Sequence, residues 1–159
     1  YSSAASDVYK RQESLTSNST PQLIPGLSAT ITPTRSDSKI LVQVVFHASI
    51  GGSYGGHHIV LRRGSTNICI GDAAGSRIRG SLALQTATFW DDNSSSSYSM
   101  GQASLNFLDS PATTSATTYG LYHADDASNA LYVNRGRTDS DNANYIRVVS
   151  TITLMEVSG

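Results

Sequence analysis

The residues of this chain best suited to chemistry are His57 and His58, the acidic pairs Asp91-Asp92 and Asp125-Asp126, and the oxygen-rich run from Thr138 to Asn144. Adjacent histidines on a strand point to opposite faces, so His57 and His58 do not readily share one ion. A further ligand would have to come from His47 or His123 across strands. The spacing is generic, so no metal site is expected and the pair reads as exposed histidines at a strand start. Thr138-Asp139-Ser140-Asp141-Asn142-Ala143-Asn144 offers oxygens of the kind calcium takes, but lacks the central glycine and closing glutamate of an EF-hand loop, and reads as a solvated turn. The acidic pairs have no identifiable partner in the sequence and read as loop surface.

Catalysis would require a nucleophile beside a base and an orienting group, or two carboxylates in contrasting environments. Serines are too numerous to single one out. The string G-x-S-x-G occurs once, at Gly51-Gly52-Ser53-Tyr54-Gly55, but in a glycine-rich turn with no helical period after it to make a nucleophile elbow, and no H-E-x-x-H helix, phosphate-binding loop or dinucleotide fingerprint occurs. The expectation is therefore no enzyme, no catalytic residue and no cofactor. Aromatics in polar loops are a different matter. Tyr54 lies among glycines, Trp90 beside Asp91 and Asp92, and Tyr98 after a serine run. Rings that stack on sugar faces beside carboxylates that bond hydroxyls make a glycan-binding surface. Tyr54, Trp90, Asp91, Asp92 and Tyr98 are thus the ligand-binding candidates, against the plainer reading that single aromatics anchor loops to their own core. Tyr119 and Tyr122 fall on a strand. Cys69, the one cysteine, cannot form an intrachain disulfide, and its neighbours Ile68 and Ile70 suggest a strand on which it faces away from them.

The elements that must carry these residues are strands. Leu27, Ala29 and Ile31 alternate with polar residues up to Pro33, and Lys39 to Ser49 puts Ile40, Val42, Val44, Phe46 and Ala48 on one face. The second face of that run, with Leu41, Val45 and His47, is partly apolar, as in a central strand or one that meets a partner subunit. His58 to Arg63 and Asn67 to Ile70 flank Gly64-Ser65-Thr66 as a hairpin. Ser81 to Trp90, Tyr98 to Leu108, Thr117 to His123, Ala130 to Asn134 and Tyr145 to Val157 continue the series, the last with Ile146, Val148, Ile152 and Leu154 on one face. Eight or nine strands without a helical period predict an all-β, antiparallel β-sandwich of jelly-roll type.

Bulk properties narrow the partners. The chain has 159 residues, a net charge of −1, 38% hydrophobic and only 14% charged residues. That suits one domain whose polar surface is Ser, Thr, Asn and Gly. No basic cluster exceeds Arg62-Arg63, so nucleic acid is not an expected partner. No apolar run approaches the roughly 20 residues that would span a bilayer, so no membrane insertion is expected. Residues 26–159 are expected to form the single domain, with 1–25 a disordered or artefactual lead-in. Tyr1 to Gln12 closely resembles the translated read-through of a sequencing adapter found in environmental assemblies, which implies that the natural protein is longer at its N-terminus.

Gly26 to Pro33 (GLSATITP), Ser36 to Val42 (SDSKILV), Leu61 to Thr66 (LRRGST), Gly71 to Arg79 (GDAAGSRIR), Leu108 to Tyr119 (LDSPATTSATTY), Tyr132 to Arg135 (YVNR) and Ser150 to Glu156 (STITLME) together resemble a family of β domains encoded by marine tailed bacteriophages, often beside tail-fibre genes. The resemblance implies a jelly-roll-like virion structural module at the C-terminal end of a fibre or surface appendage. It further implies a homotrimer made in the host cytoplasm, carried on the extracellular virion and contacting a host-surface glycan or protein. Symmetric assembly would also bury the apolar second faces of Lys39 to Ser49 and Tyr145 to Val157. The family supplies no catalytic motif and no binding residue to transfer. Three alternatives stay open: a secreted lectin-like or C1q-like domain, a self-assembling filament or capsid-decoration subunit, and, least favoured, a fibre-borne glycosidase with two carboxylates in a cleft.

Overall fold

A computed structural model describes residues 4–16, 19–51, 57–84, 99–125 and 129–159. The described strands are β1 (Ala4–Tyr9), β2 (Glu13–Leu15), β3 (Gln22–Ile31), β4 (Lys39–Ile50), β5 (His57–Arg63), β6 (Thr66–Ile68), β7 (Leu82–Leu84), β8 (Gly101–Asp109), β9 (Thr117–Ala124), β10 (Leu131–Val133) and β11 (Ser150–Val157). All pairings are antiparallel, in two sheets.

Register reduces these segments to eight strand positions. β11 pairs Lys39 to Val45 of β4 while β10 pairs Ala48 to Ile50, so the two lie end to end on one side of β4. β1 then pairs β11 and β2 pairs β10, again end to end. β8 covers the other side of β4. The first sheet therefore runs β1/β2, β10/β11, β4, β8. In the second, β6 and β7 share one side of β5, which gives β3, β9, β5, β6/β7. Numbered along the chain, these are positions 1-8-3-6 facing 2-7-4-5, the order of a jelly roll. The expected fold class holds, and the expected count of eight or nine strands describes positions rather than segments.

Period 2 on β4 sets the core. Ile40, Val42, Val44, Phe46 and Ala48 are buried, and Ile152 and Leu154 of β11 and Leu105 of β8 join them on the same face. Across the gap stand Ile24, Leu27, Ala29, Ile31, Ile59, Leu61, Tyr119 and Leu121. β3 reaches back to Gln22 because Pro25 and Gly26 sit in an irregularity of the β3–β9 register, between Leu23 and Ser28, where no ladder bond is required of a proline. β11 is shorter than its apolar pattern suggests. Residues 134–149 form an excursion closed by an Arg135–Arg147 bridge, and Ile146 is exposed there, not placed with Ile152 and Leu154. β6 likewise stops at Ile68, since Cys69 adopts a left-handed φ of 52° and leaves the strand.

The lead-in differs most from expectation. Ala4–Tyr9 and Glu13–Leu15 fill the first strand position of the roll and are not disordered, whatever their origin. Two features hold them. The Tyr9 ring lies over Gly26, whose φ is +72° and whose missing Cβ would fall 2.0 Å from Tyr9 Cδ2. Asn134, itself left-handed at φ 60°, donates through Nδ2 to the carbonyls of Tyr9 (2.8 Å) and Arg11 (3.1 Å), at the break between β1 and β2. Its Oδ1 accepts from the Ser150 hydroxyl at 2.7 Å. Gly26→Ala should therefore push the Tyr9 ring out and cost about 2 kcal/mol or more. A lowered melting temperature with loss of amide-exchange protection in Ala4–Tyr9 would be the signature; unchanged protection there would refute this account of docking.

Candidate interaction face

Alternation that buries one face of β4 presents the other. Cross-strand register aligns Ala4, Met155, Leu41 and Leu108 in one row, Ser6, Thr153, Gln43 and Asn106 in the next, and Val8, Thr151, Val45 and Ser104 in a third. No side chain in these rows is charged. The middle row is knitted sideways, with the Ser6 and Thr153 hydroxyls 3.1 Å apart and Gln43 Nε2 donating to Asn106 Oδ1 at 3.0 Å. The row from Ala4 to Leu108 is an apolar lane, and the third row alternates Val8 and Val45 with Thr151 and Ser104. Val8, Val45 and Leu108 are exposed large hydrophobic residues of these rows, and Val157 follows at their margin opposite exposed Lys39. At about 4.8 Å between strands and 3.3 Å per residue, this face spans roughly 20 by 20 Å, on the scale at which exposed apolar patches mark interaction sites.

Among the described residues, three carboxylates and two histidines are buried: Asp109, Asp125, Glu156, His57 and His123. At one end of the roll Asp109, on β8, accepts at Oδ2 from the Tyr119 hydroxyl and from Arg63 Nη1, both at 2.7 Å. Arg63 and Tyr119 are registered partners on β5 and β9, so this carboxylate pins one sheet to the other. Tyr119 is fully buried, and burial, with the Asp109 carboxylate beside it, pushes its phenol above the ordinary value. Glu156 flanks Ile40 on β11 as Asp109 does on β8, and takes the Thr34 amide (2.7 Å) and hydroxyl (2.8 Å) on Oε1. These two buried carboxylates lie at the same end of the roll, and each is engaged by its own protein donors.

At the opposite end, His57 is 2% exposed, which corrects its reading as a surface histidine. His57 and His58 do face opposite sides of β5, and a cross-strand contact brings His123 to His57, with Nδ1 and Nε2 2.9 Å apart. Asp125, expected on the loop surface, is also 2% exposed; its Oδ2 lies 3.7 Å from His57 Nε2 and accepts the Asn129 amide at 2.8 Å. The described residues contain no group of three or more ligating side chains arranged for a metal ion. His47 is occupied elsewhere, with Nδ1 2.9 Å from the Val149 carbonyl. The 138–144 run is mainly exposed, and Asp139 pairs with Arg147 at 2.9 Å. The ligand-binding candidates Tyr54, Trp90, Asp91, Asp92 and Tyr98 all lie outside the described residues. Tyr122, on β9, stacks under Arg62, whose guanidinium carbon lies 4.5 Å from the ring centre.

A scan against protein-family models finds no match, and a search of curated proteins finds no relative. Burial and register were the missing signals for the inward clusters: Asp109 ends an alternating run, but nothing in its sequence neighbourhood points to Arg63 or Tyr119. Replacing Asp109 by Ala should cost about 3 kcal/mol, because it strands a buried hydroxyl and half-buried guanidinium, whereas Tyr119→Phe should cost about 1–2. Denaturant unfolding of both variants checks the order; equal, negligible losses would remove the inter-sheet pin.

Proposed function

We propose that this chain is a non-enzymatic virion structural module. In this reading it is the C-terminal domain of a tail-fibre or related surface appendage of a tailed bacteriophage, assembled as a homotrimer on the extracellular virion and able to meet host-surface glycans or proteins. The observation that carries the self-association is the uncharged centre of the first sheet's outer face, the three rows from Ala4 to Leu108, Ser6 to Asn106 and Val8 to Ser104. A surface of alternating apolar and hydroxyl or amide lanes desolvates without stranding a charge, and suits an identical or similar face on another copy. About 400 Å² is roughly half of what each partner contributes to a standard interface, so the strand ends and the 134–149 excursion, with exposed Ile146, would supply the remainder.

The buried carboxylates favour the structural reading over the glycosidase. Asp109 Oδ2 and Glu156 Oε1 each accept two bonds from the protein's own donors, in the geometry of inter-segment pins. The appendage identity itself rests on the phage-family resemblance of the segments from Gly26 to Glu156. A filament or capsid-decoration subunit would use the same face in a different symmetry.

Light scattering decides between them. Three copies of a 16.8 kDa chain should give about 50 kDa in solution. Val45→Lys with Leu108→Lys, both at exposed positions, should return the mass to one chain with the circular dichroism unchanged, because the substitutions place charge where a partner must dry the surface. A wild-type monomer would overturn the homotrimer, and an open-ended size distribution would favour the filament.

A further inference from the structure

We propose that His57, His123 and Asp125 form an acid-sensitive latch that holds one end of the roll closed and releases it when the histidine pair takes up a second extra proton. His57 opens β5, His123 is the penultimate residue of β9, and Asp125 follows directly. Register sets Ile59 opposite His123 and His58 opposite Ala124, which makes His57 and His123 diagonal neighbours on the inner face. Their rings stack with centroids 5.1 Å apart and planes 14° from parallel. Across the 2.9 Å contact one ring nitrogen must donate and the other accept.

Proton counting then defines the latch. With both rings neutral, one N–H fills the contact. A first extra proton is accommodated with His57 carrying N–H on both nitrogens: Nδ1 donates to His123, and Nε2 faces Asp125, whose carboxylate balances the charge at 3.7 Å. A second would set N–H against N–H across the contact and give two like charges one counter-charge, with the His57 and Asp125 side chains fully enclosed. Breaking the contact relieves this. Of the surrounding groups, β5 adds His58 on its outer face, a further like charge in acid, and Asp125 is the acid that opposes it. Gln22 of β3 and Leu84 of β7, registered to His123 and His57, carry no charge.

The window follows from His123, which burial, then the neighbouring His57, pushes down to about 4 from 6.5, with Asp125 acting the other way. A histidine held below its unfolded value contributes its stability in full above about pH 6.5, and loses it as pH falls from there toward 4. The segments released are the start of β5 with its β7 partner, the end of β9, and the backbone of Asn129 that Asp125 holds.

Amide exchange of the full chain at pH 7 and pH 5, corrected for intrinsic rates, tests this. Amides of His57–Val60 and Leu121–Ala124 should exchange on the order of tenfold faster at pH 5, while those near Arg63 and Tyr119 keep their protection. His123→Gln keeps a donor and acceptor but cannot titrate, and should abolish the acid effect. Equal protection at both pH values, or an acid effect that survives in His123→Gln, would overturn the latch. Ring titration by NMR in the wild-type chain gives a second reading independent of the variant's folding: both rings titrating freely near 6.5 with β5 still protected would also overturn it.

Discussion

One face of β4 must be dry. Its inward side chains, Ile40 to Ala48, are at most 2% exposed, and burying them requires a strand on each side and a second sheet opposite. At about 25 cal/mol per Å² of apolar surface, that strand alone is worth several kcal/mol of the roll's stability. β8 takes one flank and β11 with β10 the other, and the chain must return to β4 from both its middle and its end. The jelly-roll order follows from those returns. So does the exposed outer face, because a period of two that buries Val42 and Val44 presents Leu41, Gln43 and Val45.

Polar groups tie the roll together, one of them between the two sheets and the others within a sheet. Asp109 ties β8 to β5 and β9 at one end; Asn134 and Ser150 tie the first strand position to the gap between β10 and β11; His57 and His123 tie β5 to β9 at the other end. Each tie joins residues far apart in the chain, and each is satisfied locally by hydrogen bonds in a small enclosed network. The three central rows of the first sheet's outer face carry no charge, and exposed Lys39 marks their margin on β4. The proposed self-association rests on those central rows, knitted by hydroxyl and amide side chains and turned outward.

Alternation made β4 and the core halves of β3 and β8 legible in sequence with their buried faces, and the turn at Gly64 to Thr66 made the β5–β6 hairpin legible without its buried face. Pro25 and Gly26 hid the start of β3 because they read as breakers, and only the register irregularity against β9 accommodates them. The apolar residues of 145–149 continued the period of β11 into an excursion, since periodicity does not report where pairing stops. Ala4–Tyr9 has little apolar pattern; it is held by backbone pairing, by Tyr9 over Gly26 and by the Asn134 amide, none of which has a local signature. The inward turn of His57 and Asp125 was invisible for the same reason, as their partners arrive from another strand. The aromatic candidates fall in stretches outside the described residues and were argued from residue type alone.

The central claim, that the outer face of the first sheet is covered by another copy, is tested most directly by comparing thiol reactivity on the two outer faces. In a Cys69→Ser background, a cysteine at exposed Ser104 on β8 and another at exposed Thr30 on β3 report the first and second sheets separately. The account predicts that the Ser104 position reacts at least about tenfold more slowly than the Thr30 position in the native assembly, and equally fast after dissociation. Equal rates in the native protein would show the face to be open to solvent and would contradict the account.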